Sequence, residues 1–274
     1  MSSGGLPSFE RPPVIETVLG VQFDPLQEFR NAHLGAFWKF LGPAEWPKVT
    51  DAPTIDPQFE RFGEAAAWQP RGVHLKISQD PSARLMMHNA AGDRMIQLQN
   101  GRLHYNWLGQ IGGPYPRYTT IRPEFCRVLG RLREFLAGEG VGEPVPNQWE
   151  VTYVNHIPRG GLWNMPSDWT GVFVSLPGVA GRIESLRLES FGGEGHFEIE
   201  PQRGRLHIHL EHGRFGKDQQ QEVLRLVLTA RGPIPGDGEG DMLGAGLDLG
   251  RQVIVTTFKA ITTDHAHEYW GLLR

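Results

Sequence analysis

The sequence predicts an α+β fold of two similar halves, each a strand, a helix, four antiparallel strands and a closing helix. Three observations carry this. First, the 274 residues include 35 Gly and 21 Pro, together about a fifth of the chain and well above the average of roughly 12%. Gly costs about 1 kcal/mol and Pro about 3 in a helix interior, so this composition disfavours long helical bundles and favours short strands joined by turns. Second, short alternating segments lie between a few long stretches of helical period. Third, the order of elements repeats, and Gln99-Asn-Gly-Arg-Leu-His104 is echoed by Gln202-Arg-Gly-Arg-Leu-His207 in what reads as the same hairpin of each half. The halves are expected to be curved sheets, each gripping its closing helix and related by a pseudo-two-fold.

Residues 1–9 read as a flexible tail. Pro12–Pro13 introduces a strand from Val14 to Phe23, ended by Asp24–Pro25. Residues 26–41 place Leu26, Phe29, Ala32, His33, Phe37 and Phe40 near helical spacing, and Gly42–Pro43 stops that helix. Residues 43–71 are Pro-rich and weakly periodic, a long ordered excursion or an insertion. Four strands follow near 72–78, 83–89, 94–99 and 102–108, with Asn100–Gly101 a strong hairpin signal between the last two. A loop at Gly112–Arg117 leads to a helix over 122–137. Its apolar stripe is Phe125, Val128, Leu129, Leu132, Phe135 and Leu136.

Residues 138–147 read as a linker, after which the order begins again. A strand is expected over 149–157, a short helix within 166–177, and strands near 183–191, 195–200, 205–211 and 222–231. A helix over 243–262 closes the half, and 263–271 extends it. The expected units are 10–140 and 147–274, packed as one globule.

Net charge is −4 at neutral pH and the sequence pI is about 6.3. There is no run of Lys or Arg, which argues against a nucleic-acid partner. The lone Cys126 excludes an internal disulfide framework and a Cys-based structural zinc site. Its place beside Phe125 on a helix predicts a buried, unreactive thiol. No basic and apolar leader opens the sequence, and no segment reaches the roughly 18 apolar residues of a transmembrane helix. A cytoplasmic protein without a membrane partner is expected.

Several motifs resemble a known family. Glu10-Arg-Pro-Pro-Val-Ile-Glu16 with Gln22–Phe23, then Ile96-Gln-Leu-Gln99, Asn106–Trp107 and Tyr115-Pro-Arg-Tyr118 occur in the first half. Glu150-Val-Thr-Tyr-Val-Asn155, Leu228-Thr-Ala-Arg-Gly232, Phe258, Thr262 and Trp270 follow in the second. Together they resemble a sporadically distributed bacterial family of unknown function. The resemblance implies a cytoplasmic bacterial protein and supplies no activity. Where many of that family carry His in the last helix, this chain has Arg251.

The side-chain chemistry gathers on two hairpins. In the first, Gln97, Gln99, Arg102, His104 and Asn106 alternate with Ile96, Leu98, Leu103, Tyr105 and Trp107, so period 2 collects the polar set on one sheet face. In the second, His196, Glu198, His207 and His209 share a face opposite Phe197, Leu206, Ile208 and Leu210. Those imidazoles and carboxylates suit zinc or iron, or simply a solvated face. Tyr115, Arg117 and Tyr118 put two phenols and a guanidinium on a loop, residue types that anchor partners. There is no G-x-S-x-G elbow, Walker loop or H-E-x-x-H helix. Gly244-Ala-Gly246 with Gly250 misses the dinucleotide spacing, and His265 with Glu268 reads as a solvated helix end. Trp46, Trp68, Trp163 and Trp169 are expected in core or lid packing.

The leading expectation is a non-enzymatic module binding a peptide or partner protein through the polar sheet faces or an open edge, with no cofactor and with homodimerisation open. The alternatives are a metal-dependent enzyme on the 196–209 hairpin and a small-molecule or nucleotide sensor.

Overall fold

The computed structural model describes residues 5–63, 83–174, 188–216, 220–235 and 241–273. Among these residues the fold is α+β, with one antiparallel sheet of nine strands: β1 (Val14–Phe23), β2 (Lys48–Pro53), β3 (Ala83–His88), β4 (Arg94–Gln99), β5 (Arg102–Leu108), β6 (Pro146–Pro158), β7 (Gly193–Ile199), β8 (Gly204–Phe215) and β9 (Gln221–Pro233). Their order across the sheet is β2-β3-β4-β5-β1-β6-β9-β8-β7. The middle is the β1–β6 pair, where Leu19 faces Val151 and Gly20 faces Glu150. The described helices are α1 (Asn31–Leu41), α2 (Tyr118–Gly138), α3 (Met242–Ile261) and α4 (Asp264–Trp270), with a 3-10 turn at Pro166–Gly171. None is long and apolar enough to cross a membrane.

Alternation along each strand separates two faces. One carries Leu19, Val21, Leu98, Leu103, Tyr105, Trp149, Val151, Leu226 and Leu228, all buried. The helices close over it. Helix α3 lies on β6 and β9, α2 on β5, and α1 on β3 and α2. The opposite face carries the polar set.

Local chemistry explains several departures from the sequence reading. Helix α1 starts at Asn31 rather than at 26, because the Asn100 side chain holds the Leu26 backbone in a non-helical path. Its Oδ1 accepts from Leu26 N at 2.8 Å and its Nδ2 donates to Leu26 O at 3.0 Å. Strand β2 forms inside the weakly periodic stretch 43–71, where the sequence shows no strand. It is an edge strand with mostly exposed side chains, so it needs backbone pairing and little apolar alternation. The expected strand at 72–78 and Trp68 lie outside the described residues. So does most of the strand expected at 183–191, whose described part, 188–191, is not a strand. The expected linker already contains the start of β6, and Val141 within it is buried.

Thr262 and Thr263 divide the last helix. Thr262 donates its hydroxyl to Phe258 O at 2.7 Å, and the Thr263 hydroxyl caps α4 by accepting from Ala266 N at 3.2 Å. Residues 8 and 9 are ordered against this corner instead of trailing as a tail. Leu273 N donates to Ser8 O, and the Phe9 ring packs on Phe258, His267 and Trp270. Trp46, Trp163 and Trp169 are buried. Cys126 is exposed, because it follows Phe125 around α2 onto the solvent side.

The echoed hexapeptides do not occupy equivalent places. The first spans the β4–β5 turn, and β5 adjoins β1; the second spans the β7–β8 turn, and β8 is separated from β6 by β9. What they share is Arg and His at i and i+2 on the polar face.

The discounted Gly246 and Gly250 have a packing role. Trp149 of β6 lies flat against α3, and a Cβ on Gly246 would stand 2.3 Å from Trp149 Cδ1, one on Gly250 2.8 Å from Cζ3. Gly246→Ala is expected to lower stability by about 1–3 kcal/mol through overpacking. Gly35→Ala in α1, where a Cβ meets nothing within 4 Å, is expected to be neutral or to stabilise by up to ~1 kcal/mol. Urea unfolding midpoints of the two variants check this pair of opposite outcomes.

Candidate functional site

The polar face of the sheet is largely covered. Gln97, Gln99, Arg102, His104 and Asn106 all lie on it, as period 2 requires, but each is buried. The segment 54–62 that follows β2 crosses the face, touching Gln99, Gln22 and Arg205 in turn. Gln99 grips its backbone like a neighbouring strand: Ile55 N donates to Gln99 Oε1 and Gln99 Nε2 donates to Ile55 O, both at 2.8 Å. Gln22 Oε1 accepts from Gln58 N at 3.0 Å and from Arg102 Nη2 at 2.6 Å. Arg205 Nη2 donates to Arg61 O at 3.0 Å, and the Arg205 guanidinium lies 5.3 Å over the Phe62 ring.

At the far end of this segment, Glu60 enters a pocket of cations. Its carboxylate accepts from Arg205 Nη1, from His207 Nε2 at 2.8 Å and from Arg231 Nη1 at 3.2 Å, and its side chain is only 4% exposed. Arg231 is shared. Its Nε donates to Glu150 Oε2 at 2.7 Å, and Glu150 also lies 3.7 Å from Arg102 and 3.5 Å from His104 Nε2. One connected network therefore runs from β5 to β8. Gly20 makes room for it, since a Cβ there would meet His104 Cδ2 at 2.7 Å.

Burial and charge set the protonation states. Burial alone would raise the Glu60 pKa, but the His207 hydrogen bond and the charges of His207, Arg231 and Arg205 outweigh it and hold it below the usual value. Glu150 follows the same logic. Burial opposes ionisation, yet Arg231, His104 and Arg102 pull it down to about 2. His104 goes down to about 4 because burial and the nearby arginines outweigh the attraction of Glu150. At neutral pH the network holds ionised carboxylates and a neutral His104. Further along, Arg84 donates to Gln97 Oε1 at 2.6 Å, Gln97 to Asn106 Oδ1 at 3.0 Å, and Asn106 to Glu16 Oε1 at 2.6 Å.

The four candidate metal ligands share the polar face but do not converge. His196 and His207 touch, Nδ1 to Nδ1, at 2.8 Å. His209 turns to Glu194 at 3.2 Å, and Glu198 accepts from the Gln202 backbone at 3.1 Å within its own hairpin turn. The second ring nitrogen of His207 is taken by Glu60. Among the described residues, no three His, Cys, Asp or Glu stand where they could hold a metal ion.

Tyr115, Arg117 and Tyr118 lie on the other side of the sheet. Tyr115 packs on Trp107 at 5.2 Å and hydrogen-bonds Tyr153 at 3.0 Å, both on the helix-covered face. The sheet thus divides the expected binding residues into two sites. Of the network, Glu150, Arg231 and Gln22 had a legible signal as polar residues in otherwise apolar strands. Glu60 had none, since it lies in a segment without periodicity.

No protein-family model matches the chain, and no curated protein matches it. The chemistry of the site is therefore the guide to its use.

The depressed His104 pKa predicts acid sensitivity. Its folded value, about 4, lies below the ordinary 6.5, so the unfolded chain takes up a proton first. Stability is full above about pH 6.5 and is lost as pH falls toward 4, by on the order of 3 kcal/mol from this group. Glu150 adds a second loss from about pH 4.5 down toward 2. Urea titrations of the wild type and His104→Gln at pH 7, 5.5 and 4 check this. The variant is expected to lose distinctly less stability over that range, keeping the part due to His156, which burial and Arg225 also lower to about 4.

Proposed function

We propose that this chain is a non-enzymatic binding module whose polar sheet face recognises an extended, acidic peptide segment of a partner protein. One observation carries the reading: the chain's own segment 54–62 lies on that face as a peptide would. Its backbone is read by the amides of Gln99 and Gln22, and its Glu60 carboxylate is held by Arg205, Arg231 and His207. Side-chain amides that pair with both N–H and C=O of one residue recognise extended backbone whatever its sequence. Buried guanidiniums add selectivity for a carboxylate. Were segment 54–62 to lift away, Arg102, Arg231 and Arg205 would share Glu150 as their one carboxylate among the described residues, a cationic pocket needing an anion. The internal segment then acts as an occluding stand-in, displaced when the partner's acidic segment takes its place.

Two further readings go with this one. The duplication has support in the sheet order. In each direction from the β1–β6 pair the last strand of the half comes first, β5 beside β1 and β9 beside β6, followed by β4 and β8. Membership of the bacterial family that the sequence resembles, and a cytoplasmic setting, rest on the motifs alone.

The test uses a labelled peptide with the sequence Thr54–Phe62 and fluorescence anisotropy. Glu60→Gln removes the internal carboxylate and weakens the occluding segment. It is expected to bind the peptide about tenfold or more tightly than the wild type, a change of about 1.4 kcal/mol. Adding Arg231→Ala to that variant is expected to abolish the gain. A folded Glu60→Gln protein that binds the peptide no better than the wild type would overturn the proposal and leave segment 54–62 a structural strap.

A further inference from the structure

On the helix-covered side of the sheet, the N-terminal segment, the start of α2 and one face of α3 enclose a cavity of about 560 Å³, counting the part open to solvent. Its body is apolar, walled by Pro12, Val14, Leu228, Ile254, Val255 and Phe258. Its polar lining includes Tyr115, Tyr153, Arg117 and Arg251.

These groups are arranged as donors. Tyr115 and Tyr153 hydrogen-bond each other at 3.0 Å, and burial pushes both phenols above their ordinary pKa, so both keep their protons. Arg117 donates to Phe9 O at 2.8 Å and to Ser8 Oγ at 3.4 Å, and lies 5.4 Å over the Tyr115 ring. Arg251 lies 5.1 Å over the Tyr118 ring. Among the described residues neither guanidinium has a carboxylate within salt-bridge distance. The nearby Asp248 is engaged elsewhere, accepting from Tyr118 at 2.7 Å and pairing with Arg122 at 3.2 Å. The backbone at Arg117 is held at φ 61°, ψ 153°. A non-glycine residue in that region costs on the order of 1–3 kcal/mol and persists where the surroundings impose it. Here it carries the guanidinium to the cavity rim.

We propose that this cavity is a binding site for a small amphipathic carboxylate, whose apolar body lies against Val14, Leu228, Ile254 and Phe258 and whose carboxylate is held by Arg251 and Arg117 with the phenol of Tyr115 or Tyr153. Among the described residues the guanidiniums have no internal carboxylate, and the apolar wall disfavours a ligand charged throughout. The site is separate from the polar face, so it stands whether or not that face binds peptide.

Isothermal titration calorimetry with octanoate, phenylacetate and cinnamate, each against its neutral amide, tests the assignment. At least one acid is expected to bind, and about tenfold or more tightly than its amide, as a charge-assisted hydrogen bond requires. Arg251→Gln is expected to erase the difference between acid and amide. Val255→Trp, a change at a partly exposed wall position, is expected to fill the cavity and remove binding of both, while thermal unfolding stays cooperative. The proposal is overturned if none of the three acids binds the folded wild type, if acid and amide bind alike, or if the acid binds Val255→Trp unchanged.

Discussion

The middle of this sheet's polar face is buried with its charges paired, and Arg231 does the pairing. A lone charge removed from water costs several kcal/mol, and only close, hydrogen-bonded partners offset that cost. Arg231 donates to Glu150 on the adjacent β6 and to Glu60 on the crossing segment. The first contact ties together the middle of the sheet. The second fixes the path of a segment that has no strand or helix of its own. From that constraint follow the other features of the face: the glycine at position 20 that admits His104, the neutral state of His104, and the amides of Gln22 and Gln99 turned to the backbone of segment 54–62.

The two sides of the sheet therefore solve different problems. The helix-covered side is an ordinary apolar core, closed most tightly where Trp149 lies on the glycines of α3. It opens where Arg117, Arg251 and the tyrosines interrupt the apolar contact between α3, α2 and the chain start. The other side keeps a polar character under cover and pairs much of it internally. An antiparallel sheet usually leaves such a face to solvent. Here the segment 54–62 crosses it, and the side-chain amides of Gln99 and Gln22 pair with that segment's backbone.

Much of this was legible along the chain. Alternation assigned Gln97, Gln99, Arg102, His104 and Asn106 to one face and Leu98, Leu103, Tyr105 and Trp107 to the other, because the pleat dictates sides two residues at a time. The same rule placed His196, Glu198, His207 and His209 together. It could not say that His209 and Glu198 would turn to partners within their own hairpin, since a side chain's rotamer answers to its nearest charges. Strand β2 was hidden because an edge strand needs hydrogen bonds more than apolar residues. The Thr262–Thr263 break was hidden because threonine is compatible with a helix until a neighbouring carbonyl, here Gly171 O, accepts its hydroxyl.

By itself, then, the sequence determined the fold class, the positions of most strands and the side of the sheet each strand residue faces. These are consequences of local geometry, repeated every two or 3.6 residues. Only the tertiary structure decided the order of strands, the burial of the polar face, the meeting of Glu60 with Arg205 and Arg231 across more than 140 residues, and the opposite placement of Tyr115 and Arg102. Contacts between residues so far apart depend on how the whole sheet is threaded, and a sequence period of a few residues carries no record of that threading.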